Sequence, residues 1–179
     1  MARVRIAILS VLGLVLLSGG SSIDAVSGHD RNAPGTSRSE AMRIAALMRR
    51  VNPTLSDVES TRIGHAVLRS SERFELDPEL VTAVLLVESS ARPWARSPKG
   101  ALGLMQVMPH MASGMRIAGN LTTIESNIEA GCWILSGNIR RLGESNGISA
   151  YFWGSDIRGV AYLDRVRAAR AAVRRFSES

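Results

Sequence analysis

The sequence predicts a mainly α-helical fold. Three observations carry this: helix start signals recur along the chain, apolar residues follow them at spacings of three and four, and no alternating strand pattern of useful length occurs. No internal repeat is visible. With 179 residues, 45% of them apolar and 21% charged, the composition fits one packed domain and excludes a wholly disordered chain. One cysteine, Cys132, excludes an intramolecular disulfide framework.

Residues 1–22 have the layout of a secretory signal peptide. Arg3 and Arg5 precede an apolar run from Ile6 to Leu17, and Ser18-Gly19-Gly20-Ser21-Ser22 supplies small residues for cleavage. The run is 12 residues long, against about 20 needed to span a bilayer. The alternative is an uncleaved membrane anchor. Cleavage takes two of the 22 basic residues away and leaves 20 against 16 acids, a net +4 in place of +6. A basic protein exported to the periplasm meets anionic envelope polymers before nucleic acid, so the charge favours an anionic substrate and no nucleic-acid partner is expected. Residues 23–38, with Asn32, Pro34, Gly35, Thr36 and Ser37, lack apolar periodicity and read as a flexible tether.

Residues 39–55 form an expected leading helix. Ser37-Arg38-Ser39-Glu40 has the form of a capping box, Ile44, Leu47, Met48 and Val51 follow at helical spacing, and Pro53 closes the segment. From residue 56 to 179 the chain reads as the main domain. A second box, Ser56-Asp57-Val58-Glu59, opens a helix carrying Ile63, Ala66 and Val67 towards Phe74. Asp77-Pro78-Glu79 combines an N-cap acceptor, proline at the first helical position and an acid at the positive end of the helix dipole. The helix it opens is apolar nearly all round from Leu80 to Val87, so it is expected to be buried. A turn-rich stretch, Pro93 to Gly103, and a methionine-rich segment lead to a helix from about Ser126 to Leu142 and a last, arginine-studded helix from about Val160. Met111 and Met115 are assigned to the core.

Glu88, at the end of the apolar helix, is the candidate chemical group. Burial there disfavours the charged form, raises the carboxyl pKa and suits the group to hold and donate a proton at neutral pH. The other reading of the pattern is a helix-terminal glutamate that reaches water. From Ser89 to Ile124 no Asp or Glu occurs. Glycosidases ordinarily use two carboxylates flanking the scissile bond; a lone acid fits a reaction in which the substrate supplies its own nucleophile.

The run Glu88-Ser89, Pro93 and Ser97-Pro98-Lys99-Gly100-Ala101-Leu102-Gly103-Leu104-Met105-Gln106-Val107-Met108-Pro109 closely resembles the signature of the soluble-lytic-transglycosylase (SLT) family. Asn127-Ile128 with Gly131, Ala150-Tyr151 with Gly154, and Tyr162 to Val166 are similar to later motifs of that family, so the resemblance covers about Ser56 to Val166. It implies a goose-type, lysozyme-like helical domain with a glycan cleft. The implied activity is cleavage of the β-1,4 bond between N-acetylmuramic acid and N-acetylglucosamine in peptidoglycan, leaving 1,6-anhydromuramic ends, with Glu88 as general acid and then base. Carried over by position, Ser97 resembles the serine that hydrogen-bonds near the acid, Gln106 and Met108 resemble cleft residues contacting glycan, and Tyr151 resembles the tyrosine lying over the carboxyl. Gly100, Ala101 and Gly103 fit a backbone that passes close to a sugar. Two positions depart from the pattern: Phe152 stands where the family has Asn, and Ala91 replaces an aromatic whose space the neighbouring Trp94 could fill.

The competing readings are a hydrolytic muramidase and a catalytically weak peptidoglycan-binding module of an envelope complex. Tyr151-Phe152-Trp153 is a candidate sugar-stacking platform. His29, His65, His110 and Cys132 lack metal-ligand spacing, so no metal or other cofactor is expected, and Cys132 reads as buried and inert. The arginines of the last helix, Arg158 to Arg175, read as a solvated face, with contact to anionic glycan, membrane or a protein as the alternative. The expected partners are peptidoglycan strands and components of a secretion, conjugation or pilus apparatus, and the expected state is a monomer.

Overall fold

A computed structural model describes residues 34–112, 115 and 120–178. The signal peptide and residues 23–33 of the expected tether lie outside the described residues. Those described form seven helices: α1 Pro34–Val51, α2 Asp57–Phe74, α3 Pro78–Ser89, the single turn α4 Pro109–Ala112, α5 Ile124–Leu142, α6 Glu144–Trp153 and α7 Ala161–Ser177. The mainly α prediction therefore holds. Only isolated bridges, Arg96 with Leu102 and Leu102 with Val107, pair extended backbone among the described residues.

The start signals at Ser56 and Asp77 act as read. Ser56 Oγ accepts from the Glu59 amide at 3.2 Å while the Ser56 amide donates to Glu59 Oε2 at 2.9 Å, and Asp77 Oδ1 accepts from the Glu79 amide at 2.7 Å. The first box does not form. α1 already begins at Pro34, so residues 34–38 are helical and Ser37 lies inside the helix. Proline suits that start because the amide it lacks would have had no partner in the first turn. α5 opens two residues before the expected position, with Thr123 as N-cap. α6 is a helix the sequence reading missed: a ten-residue segment with Gly143 in place of a capping side chain gives little local signal.

α3 is the central element. Leu80, Val81, Val84 and Leu85 are at most 2% exposed, and burying each such side chain contributes about 1.5–3 kcal/mol. α7 packs along α3, α2 lies between α1 and α5, and α6 bridges α5 and α7. Met115 packs on the core, but Met111 is 40% exposed, contrary to expectation. It lies within the single turn α4, which has no buried residue.

The arginines of α7 are mostly committed. Arg170 pairs with Asp77 and Glu144, Arg174 with Glu79, and Arg167 donates to Ser145 Oγ. They tie α7 to the start of α3 and to α6 rather than forming a free solvated face.

Candidate active site

Glu88 occupies the last turn of α3, directly before a tight reversal. Ser90 and Ala91 both adopt left-handed backbone, φ 53° and 58°, a conformation costly for residues other than glycine. The Asn52 side chain at the end of α1 holds the reversal by donating to Ala91 O at 2.9 Å. The chain then runs back along a cleft of about 630 Å³. The cleft is lined by Asn52, Thr54, Leu55 and Glu59 from the α1–α2 region, by the segment Arg92 to Pro98 with Gln106, and by Glu88.

The Glu88 carboxyl is partly buried and accepts at Oε1 from the Tyr162 hydroxyl of α7 at 2.6 Å. Burial raises its pKa; the Tyr162 hydrogen bond and the Arg165 charge act in the opposite direction without cancelling the rise. Burial and the adjacent carboxylate push the Tyr162 hydroxyl far up, so it remains a proton donor to Glu88. Of the two sequence readings of Glu88, the helix-terminal carboxylate simply reaching water is the one this geometry disfavours.

The segment from Ser97 to Met108 is supported from behind by α5. Asn127 is 1% exposed; its Oδ1 accepts from the Met105 amide at 2.8 Å, and its Nδ2 donates to Leu102 O at 2.8 Å and Leu121 O at 3.0 Å. Gly103, at φ 75°, packs onto that amide, where a Cβ would come within 2.4 Å of Nδ2. One turn along α5, Gly131 leaves room for Met105, whose Cβ would lie 2.5 Å from an added methyl. Small residues here therefore serve the loop's own support, not only approach to a sugar as expected for Gly103.

The sequence-assigned residues separate into two groups. Glu88, Ser97 and Gln106 share the cleft. Ser97 Oγ accepts from the Ala101 amide at 3.0 Å, and Gln106 Nε2 donates to Ala95 O and Gly103 O at 3.2 and 2.9 Å. Met108 is partly buried and does not line this cleft. The Tyr151 hydroxyl donates to Met105 O at 2.8 Å, so the tyrosine bonded to the carboxyl is Tyr162, not Tyr151. Trp94 does not fill the space of an absent aromatic. It is 66% exposed on the cleft rim, while Ala91 is itself fully buried. Cys132 is buried, and burial pushes its thiol up, which leaves it unreactive.

Tyr162, Asn52, Thr54, Leu55 and Glu59 were missed as site residues. For Tyr162 a signal existed: a tyrosine buried on an amphipathic helix needs a partner for its hydroxyl. Nothing local marks the cleft residues near the α1–α2 connection. No acid follows Glu88 before Glu125 in sequence, but α2 brings Glu59 to the same cleft.

The family model described as the transglycosylase SLT domain matches residues 65–161, more than half of the chain. The chain belongs to this family. Among relatives of the SLT domain, a transglycosylase of Enterobacteria phage PRD1 is 38% identical over 88 residues, spanning 49% of this chain and 33% of the phage protein. Membrane-bound lytic murein transglycosylase C of Edwardsiella ictaluri is 52% identical over 46 residues, 26% of this chain and 13% of its own. The chain thus spans about a third or less of the length of these relatives. A solved structure of an inactive mutant of lytic transglycosylase Slt from Pseudomonas aeruginosa aligns with 82% of this chain and 34% of its own at 19% identity and a TM-score of 0.45.

Proposed function

We propose that this SLT-family chain is a peptidoglycan lytic transglycosylase that cleaves the β-1,4 bond between N-acetylmuramic acid and N-acetylglucosamine. The observation that carries the proposal is Glu88: a carboxyl raised by burial, open to a cleft of glycan dimensions and oriented by the Tyr162 hydroxyl. The protonated carboxyl donates to the glycosidic oxygen as its bond to muramic C1 breaks. The C6 hydroxyl of the same muramic residue then bonds to C1, and its proton passes to Glu88, which restores the acid and leaves a 1,6-anhydro end. Burial that keeps the acid protonated serves the first step, and the same carboxylate serves as base in the second. The exposed Trp94 indole offers a flat apolar surface to a pyranose face, and Arg92 and Arg96 on the same segment suit an anionic peptidoglycan. Export to the periplasm, monomeric action, and recruitment by a secretion, conjugation or pilus apparatus belong to the same reading.

Glu59 supports a second reading, a hydrolytic muramidase, because it puts another carboxylate on the cleft. Its Oε2 is occupied by Ser56, and those hydrogen bonds hold its pKa below the ordinary value.

Digestion of purified peptidoglycan with mass analysis of the muropeptides tests both. The unaltered protein should release products lighter by one water than their hydrolytic counterparts. Glu88→Gln should lower the rate by at least about 10²–10⁴-fold, and Glu59→Gln should retain the anhydro product. Reducing-end products that depend on Glu59 would overturn the transglycosylase in favour of the muramidase.

A further inference from the structure

Phe152, in the last turn of α6, lies with its ring almost parallel to that of Tyr162, centroids 4.9 Å apart and planes at 15°. Trp153 meets Phe152 edge-on at 5.0 Å. Phe152 remains 51% exposed whereas Tyr162 is 2% exposed, so the phenyl ring covers the tyrosine without being part of the core itself. The position of the Tyr162 ring decides where its one polar atom lies, and that atom donates to Glu88 Oε1 at 2.6 Å. Tyr162 stands in the first turn of α7, reached from α6 through residues 154–160. The stack thus joins the two helix ends beside the carboxyl.

We propose that Phe152 is a positioning residue: by stacking on Tyr162 it holds the phenol hydroxyl against Glu88. The side chain that occupies the place of a family asparagine would then act on the acid through a second residue. Its value to catalysis rests on the proposed role of Glu88, but the positional claim does not. The ionisable groups around Glu88 are Tyr162 and Arg165 of α7, Tyr151 of α6, Glu59 of α2 and Arg92 of the cleft wall. Among them Tyr162 is the group Phe152 stacks on.

The test is a pH titration of the Glu88 side-chain carbon by 13C NMR, with Glu88→Gln identifying the signal. Donation by the Tyr162 hydroxyl favours the carboxylate, so Tyr162→Phe should titrate at higher pH than the unaltered protein. Phe152→Leu keeps an apolar cover but loses the flat stack, and should move the titration upward by part of that shift. Phe152→Met repeats the test with a different shape, and Phe152→Tyr should restore the original curve. In the Tyr162→Phe background, Phe152→Leu should add no further shift, because the two residues act through one contact. An unchanged or downward-moving titration in Phe152→Leu and Phe152→Met, or a full additional shift in the Tyr162→Phe background, would overturn the proposal. The titration involves no turnover. Failure of the unaltered protein to cleave peptidoglycan would therefore sink the activity reading and leave this result standing.

Discussion

Asn127→Ala removes one buried amide and three hydrogen bonds from the back of the cleft loop. The Met105 amide, buried at the loop's centre, loses its acceptor Asn127 Oδ1, while Leu102 O and Leu121 O lose a donor. A stranded buried N–H costs about 1–3 kcal/mol, and each carbonyl, near enough to the surface to be rehydrated, loses about 0.5–1 kcal/mol. The total, about 3 kcal/mol, is a large share of the roughly 5–15 kcal/mol that holds a domain together. For a domain of this size each kcal/mol moves Tm by about 3–4 °C, so circular dichroism should show a fall of about 10 °C. Cleavage measured well below the new Tm should also drop, because the loop that loses its support carries Gln106 on the cleft wall. A fall of less than about 3 °C, a size expected for loss of a single hydrogen bond, would refute the assignment of Asn127 as the loop's clamp.

Three further outcomes follow from the geometry. Gly131→Ala puts a methyl 2.5 Å from Met105 Cβ on a rigid helix; the overpacking should outweigh the gain in helix propensity and lower stability by about 1–2 kcal/mol in denaturant titrations. Ser90→Gly relieves a left-handed residue that is exposed, and should raise Tm by a degree or more, since the strain of about 1–2 kcal/mol exceeds the unfolded-state entropy of glycine. The pKa of Glu88 is raised on folding, so between its unfolded and folded values the native state binds more protons and stability falls as pH rises. Glu88→Gln lacks that loss and should melt at or above the unaltered protein at neutral pH, with the gap closing below about pH 4; a variant less stable at pH 7 would show that the carboxylate itself holds the fold.

Part of the site was readable because its signals are local. The cap at Asp77 and the apolar run behind it place Glu88 at the end of a buried helix, and both are properties of consecutive residues. Ser97 and Gln106 were assigned from the resemblance to the SLT family, and they lie on one short loop closed by its own hydrogen bonds. A buried Tyr162 can be read as needing a partner for its hydroxyl, but helix packing decides that this partner is the Glu88 carboxyl. Residues 34–38 were read as tether because their composition is that of a loop; they extend α1 by a first turn in which none of residues 35–38 is buried, and the apolar face that packs on α2 begins beyond them.

By itself the sequence determined the helical class, the helix starts at Ser56 and Asp77, the place of Glu88 at the end of an apolar helix and the run shared with the SLT family. Caps and periodicity act within a few residues, so no neighbour is needed to read them. Only the tertiary structure decided that Tyr162, 74 residues from Glu88, donates to it, that Asn127 holds the loop, and that Asn52 and Glu59 reach the cleft. Those contacts depend on how α1, α2, α5 and α7 cross α3 and its loop, and a crossing is set by the fit of whole helix faces rather than by any short stretch of chain.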